Sequence, residues 1–341
     1  MRPGILALLA LLCPTAALAD PSIEEVRVPA GDVVLAGALV LPEGPPRAAV
    51  VLIQGAGPHG RNQVISGAPM FAELADALAE AGIASLRIDN AGVGSSTGER
   101  VAHFREREPH ILAAFDYLAA RPEVSATPLG LLGHSEGTLV ATDLWIERQE
   151  AIDFLILLGA PSRPGRIVWV EQQSNPDRFP DRSIEDLEAI RTGFDAVARA
   201  SIDGDRSAIE AATDALFARI GLTAEELAEA RPQFIDRMAS PEMQVFLSHD
   251  PGPAFARVTD PVLAVWGGID TLTAPAQNVP VFLDLRNSDS RLTSIVLPDE
   301  DHFFLRGEGL PPGQHRRGQM RLSDRLIRTI DFWFSGEDLA Q

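Results

Sequence analysis

The sequence predicts an α/β protein: a mostly parallel sheet with helices on both faces and a helical segment inserted into it. Three observations carry this. Apolar runs alternate with helical periodicity over residues 48–158, a Pro- and Arg-rich break at Pro161 opens a charged helical stretch to about Asp250, and two more apolar runs follow it. Continuous apolar runs suit strands buried on both faces, and their alternation with helices makes βαβ units.

Residues 33–41 alternate as a strand and stop at the turn formed by Pro42, Gly44 and Pro46. Residues 48–53 are continuously apolar, as a central strand requires. Phe71, Leu74, Ala75 and Leu78 then fall at helical spacing up to Gly82, and residues 83–88 make the next strand. A helix over about 104–120, a strand at 129–132, a helix over 136–148 and a strand at 154–158 continue the pattern. In the insertion, residues 163–250, Ile184, Leu187, Ile190 and Phe194, and then Ile209, Ala212, Leu216 and Ile220, predict helices with one apolar stripe each. Sheet-like sequence resumes at 261–266 and 292–297, and 322–334 reads as a closing amphipathic helix. The main body is therefore expected over residues 20–162 and 251–341, with the insertion as a cap.

At the N-terminus Arg2 precedes an apolar run from Ile5 to Leu12 and then Ala17, Leu18 and Ala19, the small-x-small pattern of a cleaved signal peptide over residues 1–19. The run is too short for a bilayer span, which takes about 20 apolar residues. Leu12 ahead of Cys13 is not the small residue of a lipidation site. Cleavage after Ala19 removes Cys13, the single cysteine, leaving neither disulfide nor thiolate chemistry. A periplasmic or secreted protein is expected, without stable membrane insertion once the leader is gone. The composition is 45% hydrophobic and 23% charged over 341 residues, enough for one large core or two unequal lobes. A net charge of −19 with no lysine argues against nucleic acid and anionic lipid surfaces as partners and otherwise serves solubility; the partner expected is a small-molecule substrate.

The chemistry concentrates at Gly133, His134, Ser135, Glu136 and Gly137, a G-x-S-x-G run between a predicted strand and a predicted helix. Small residues on either side permit the sharp turn that lifts a serine hydroxyl clear of a sheet. The plain alternative is a strand-to-helix turn with an incidental serine. A serine hydroxyl is a weak nucleophile and needs a base; His302, after the last strand, and an orienting acid, Asp270, after the strand before it, stand in the chain order that such sheets use. Both follow strand C-terminal ends, where open α/β sheets gather active-site groups. Asp299 and Asp301 are rival carboxylates for His302. The Gln54, Gly55, Ala56, Gly57, Pro58 loop offers an oxyanion donor through the Ala56 amide, with the Glu136 amide as the second. No G-K-[ST] follows that loop, which removes the phosphate-binding reading. The glycine-rich turn at 89–95 is expected to support the floor of the site. His59, His134, Trp169, Phe179 and Phe246 are candidate substrate contacts, each weighed against packing or rim roles. No metal cluster and no cofactor motif stands out.

The Gly55, Ala56, Gly57, Pro58 loop, the 89–95 turn, the 133–137 elbow, the segment from Phe246 to Pro251, the turn from Gly267 to Asp270 and the Asp301, His302 pair together resemble bacterial α/β-hydrolase esterases that carry a helical cap, related to the serine aminopeptidase-like hydrolases. The resemblance spans most of the chain. It implies an α/β-hydrolase fold and hydrolysis of small acyl esters without a cofactor. Where relatives carry arginine and glycine after the aspartate, this chain has Asn90, Ala91 and Gly92, so different packing is expected there. Two other readings stay open: a peptidase or amidase on the same triad, and a non-catalytic binding protein on the same fold.

Overall fold

The computed structural model describes residues 21–259, 261–285, 291–307, 309–311 and 313–336. The leader, its cleavage point and Cys13 lie outside these. The central sheet has eight strands: β1 (Ser22–Ala30), β2 (Val33–Leu41), β3 (Ala48–Ile53), β4 (Ile83–Ile88), β5 (Leu129–His134), β6 (Phe154–Leu158), β7 (Val262–Gly267) and β8 (Leu292–Leu297). Their spatial order is β1-β2-β4-β3-β5-β6-β7-β8. Strand β2 is antiparallel to both neighbours, and every pairing from β4 to β8 is parallel. The five strands from β3 to β7 are buried at every residue, which is why they read as largely apolar runs, with Ser85 and Arg87 in β4 and His134 at the end of β5 the buried polar exceptions.

Two apolar layers cover the sheet. On one face Ile111, Phe115 and Leu118 of α2 (Glu108–Ala119) and Leu139, Val140 and Leu144 of α3 (Glu136–Arg148) pack against Val51, Leu131 and Leu155. On the other, Phe71, Leu74 and Leu78 of α1 (Met70–Glu80) and Leu326, Ile330 and Trp333 of the closing helix, Asp324–Gly336, meet Val50, Leu132 and Ile156. Close approach is built in: a Cβ on Gly130 would lie 2.4 Å from the Phe154 ring.

Between β6 and β7 the chain forms α4 (Gly165–Gln173), α5 (Ile184–Ile202), α6 (Arg206–Ile220), α7 (Ala224–Met238) and α8 (Pro241–Ser248), with no strand among the described residues there. Local chemistry fixes their starts. Ser183, Asp205, Thr223 and Ser240 each accept a hydrogen bond from an orphan amide of the first turn, and Thr223 with Glu226 completes a capping box. These helices share their own apolar cluster, including Trp169, Ile190, Phe194, Ile209 and Leu216. Ile184 departs from the expected stripe: as the first residue of α5 it lies beyond the packed turn and is 78% exposed. The short α9 (Gly252–Phe255) and α10 (Pro275–Leu285) complete the helices of the main body. Residues 104–107 form a 3₁₀ turn ahead of α2, and Leu322 pairs as a strand with Leu305 before the closing helix starts.

Candidate active site

Strand β5 runs into Ser135, whose backbone is held at φ 53° and ψ −123°, a conformation that side-chain-bearing residues seldom adopt. The surroundings over-determine it. Ser135 donates its amide to Leu158 on β6 at 2.8 Å, and its carbonyl accepts from the Thr138 amide and hydroxyl. Glycine is obligatory on both sides, since a Cβ on Gly133 would lie 2.4 Å from the Gly137 carbonyl oxygen and one on Gly137 2.3 Å from that of Ile53. The serine therefore stands at the C-terminal end of a central strand and the N-terminus of α3, where developing negative charge is favoured.

His302 and Asp270 meet here although they come from separate loops. His302 Nδ1–H donates to Asp270 Oδ2 at 2.7 Å, and both residues are buried. Asp270 is further held by the amides of Leu272 and Thr273 on Oδ1, at 2.7 and 2.8 Å, and by the Thr273 hydroxyl on Oδ2 at 2.7 Å. Burial alone would push its carboxyl up, but the His302 imidazole and the Thr273 donors together bring it below the ordinary range, so it is ionised where it faces the imidazole. The two rivals are engaged elsewhere. Asp301 accepts from the Phe303 amide and pairs with His315, while Asp299 is exposed and lies 3.6 Å from Arg325. Ser135, His302 and Thr273 line one cavity of about 170 Å³.

The loop carrying Ala56 also lines that cavity, as does Glu136. Neither the Ala56 nor the Glu136 amide finds an acceptor among the described residues, leaving two donors beside Ser135. The loop is held from behind. Gln63 accepts the Gly55 amide on Oε1 at 2.7 Å and donates through Nε2 to His134 Nδ1 at 2.9 Å. His134 Nε2–H in turn donates to the His302 carbonyl at 2.8 Å. Burial first, and then the nearby His302, lower the His134 pKa to about 3, so the ring is neutral and serves as a fixed donor and acceptor.

Of the expected substrate contacts, Trp169 and Phe246 line the cavity together with Val168, Met243 and Leu272. Three do not. His134 is buried behind the serine and wholly committed to Gln63 and His302. Phe179 packs against the insertion's own apolar cluster. His59 is half-buried beneath the Ala56 loop, its carbonyl accepting from Asn90 at 3.1 Å. That bond explains Asn90 after Asp89: Asp89 receives the Arg61 and Ser95 amides, while Asn90 ties the turn to the glycine loop.

Sequence reasoning missed Gln63, Thr273 and Arg107. Thr273, three residues after a turn aspartate, had a signal in the Asx-type turn it closes; Gln63 and Arg107 had none, because their value lies in long-range burial. Arg107 is 3% exposed and donates to Glu136 Oε1 at 2.8 Å. Among the described residues no group of three or more histidine, cysteine and carboxylate side chains has metal-holding geometry.

The strand order, the elbow on β5 and the acid and histidine after the last two strands are those of the α/β-hydrolase fold, which this chain adopts. The model of a family described as serine aminopeptidase, S33, matches residues 44–189, which include Ser135 but end before Asp270 and His302. Esterase EstD of Thermotoga maritima is 23% identical over 306 residues, covering 88% of this chain; the chain spans 65% of that relative's length. Among solved structures, proline iminopeptidase of Mycobacterium smegmatis superposes with a TM-score of 0.57 at 18% identity, over 93% of this chain and 99% of the other. The esterase Pf2001 of Pyrococcus furiosus gives a TM-score of 0.55 at 12% identity, over 92% of each chain.

Proposed function

We propose that this protein is a serine hydrolase that cleaves carboxylic esters of small acyl substrates through an acyl-enzyme on Ser135. The observation that carries the reading is the buried Asp270–His302 pair opening into one small cavity with Ser135 and two uncommitted amides. Asp270 holds Nδ1 protonated and leaves Nε2 to act as the base. Ser135 Oγ attacks the ester carbonyl and its proton passes to His302 Nε2. The carbonyl oxygen becomes an oxyanion facing the Ala56 and Glu136 amides. Collapse expels the alkoxide, which takes that proton and departs as the alcohol; water then repeats the sequence against the acyl-serine, releasing the acid and free Ser135. The apolar wall of Val168, Trp169, Met243, Phe246 and Leu272 and the modest volume favour short acyl chains.

A p-nitrophenyl ester series from acetate to decanoate tests this, with Ser135→Ala prepared identically. Turnover should be greatest for the short esters and fall by about 10⁴-fold or more in the variant. Equal turnover by the variant would remove Ser135 from the mechanism. A second reading, hydrolysis of peptide or anilide bonds by the same groups, is favoured by the serine aminopeptidase match and by Glu242, a carboxylate on the cavity wall suited to an amine. A matched ester and anilide pair separates the two, with the ester expected to be faster by more than its intrinsic reactivity. A third, a binding protein without turnover, predicts that a serine-directed phosphonate leaves Ser135 unlabelled.

A further inference from the structure

Arg107 has a feature that an ordinary buried ion pair lacks. Besides donating to Glu136 Oε1, its guanidinium donates from Nη1 to the carbonyls of Gln54 at 2.9 Å and Gly55 at 3.2 Å. The Gly55 carbonyl and the Ala56 N–H are two ends of one peptide unit. Glu136 bears the other uncommitted N–H on its own backbone. One planar, forked cation thus fastens, by side chain on one side and by backbone on the other, the two segments that supply both amides beside Ser135. We infer that Arg107 is a positioning residue that sets the spacing and aim of the Ala56 and Glu136 amides, and so the strength of the oxyanion hole; this rests on the serine-hydrolase reading.

A guanidinium presents donors in a rigid fork, so it fixes direction as well as distance, which an ammonium on a flexible stem does not. A cation bonded to a carbonyl polarises that peptide unit and makes its N–H a stronger donor. And buried ion pairs stabilise folds poorly, because desolvation offsets their attraction, so stability alone does not account for keeping this one. Both charges do pay for burial: it pulls the Arg107 pKa down and pushes the Glu136 pKa up, each opposed by the partner, with Glu242 adding to the rise at Glu136. Two of the three bonds from Arg107 go to loop backbone, where a purely electrostatic pair has no need of them. Arg107 and Glu136 also line a second, larger cavity of about 370 Å³ beside the catalytic one.

The test compares Arg107→Lys, Arg107→Gln and Arg107→Ala with the parent on p-nitrophenyl butyrate. Three readouts are taken: kcat and KM separately, the inhibition constant of a trifluoromethyl ketone that forms a tetrahedral oxyanion on Ser135, and thermal midpoint. Loss of amide alignment should lower kcat by about 10²-fold or more while KM moves by less than about threefold. Affinity for the ketone should fall in step with kcat. Arg107→Lys, which keeps the charge and loses the fork, should still lose about tenfold. Guanidinium chloride at millimolar concentration should restore part of the kcat of Arg107→Ala through the larger cavity. A folded Arg107→Lys or Arg107→Gln protein with parental kcat, or losses in kcat that follow the thermal midpoint with ketone affinity unchanged, would overturn the inference. Failure of the underlying reading looks different: Ser135→Ala would then keep its ester activity whatever the arginine variants do. If Arg107→Ala and Arg107→Gln do not fold, Arg107→Lys still decides.

Discussion

At the scale of single residues the site depends on side chains that several partners hold at once. Thr273 illustrates this: its amide and hydroxyl both go to Asp270, and its hydroxyl lies 3.1 Å from the Gly159 carbonyl and 3.2 Å from His302 Nδ1. Thr273→Val keeps the shape and the amide bond but removes the hydroxyl donor from Asp270 Oδ2. The carboxylate then loses one of the donors that favour its charged form and keep it aimed. The expected outcome is a fall in kcat of about tenfold with KM little changed, measured on a short-chain ester; a parental kcat would mean that the two amides suffice. Residues such as Ser135, Asp270 and His302 were legible in the sequence because each follows an apolar strand run, a position that local pattern reveals. His134 was not. It lies next to Ser135 in the chain, yet successive strand residues point to opposite faces, so adjacency in sequence put it behind the site instead of in the cavity. Phe179 and Ile184 went astray for a related reason, because an apolar residue at a helix boundary, Phe179 closing a 3₁₀ turn and Ile184 opening α5, carries no signal of what will cover it.

At the scale of elements the 3₁₀ turn before α2, the helices α2 and α3 and the end of α8 converge on a cluster of charges at the base of the insertion. Arg105 of the 3₁₀ turn lies 2.9 Å from His249, at the end of α8, and within 4.0 Å of Glu108 on α2 and 3.7 Å of Asp143 on α3. Burial, and then Asp143, push the Glu108 carboxyl up to about 7; Arg105 opposes the rise and Glu147 adds to it. A folded pKa above the unfolded 4.5 means that the native state binds the extra proton, so stability from this group is lost as pH rises from about 4.5 to about 7. Glu108→Gln, a neutral isostere, should remove that slope and exceed the parent in stability at pH 8 by about 1 kcal/mol, a figure reduced for solvent screening of a half-buried group. Urea midpoints at pH 5 and pH 8 check it, and an unchanged pH slope in the variant would assign the dependence to another group. Elements differ in legibility as their burial does. The fully buried β3, β4 and β6 match their apolar runs residue for residue. The edge strand β1 was missed because only Val26 and Val28 face the core among exposed charges, and α10 because Pro275 and Pro280 read as breakers although the helix forms around them.

At the scale of the whole molecule three apolar clusters divide the labour. Two sandwich the sheet and the third lies within the insertion, and among the described residues Phe246 is the side chain that packs against both the insertion's cluster and the α2–α3 face. The two ends of the insertion are pinned to each other, where the Gly165 amide donates to the His249 carbonyl and a Cβ on Gly165 would strike the backbone of Phe246, while contacts to the body run through Val245 and Phe246 and through polar bonds from Gln172 to the Leu272 carbonyl and between Arg105 and His249. An assembly of that kind opens in parts, because free energy of local unfolding follows shared buried area. Under native conditions with rising urea, amides of α5, α6 and α7 should therefore exchange hydrogen through an opening roughly 2 kcal/mol or more below that of β3, β5 and β7. The cavity beside Ser135 has walls from both parts, Trp169, Met243 and Phe246 from the insertion and Ala56 and His302 from the body, so on the proposed function the opening that exposes amides should also be the one that admits substrate. A phosphonate bonded to Ser135 fills the cavity from the inside and should raise the protection of α4 and α8, which supply those walls, more than that of α6, which does not. A single exchange isotherm shared by sheet and insertion, or protection gained uniformly on labelling, would show instead that the two parts open as one, and substrate would then have to enter through the static mouth beside Glu136 and Glu242, which line both cavities.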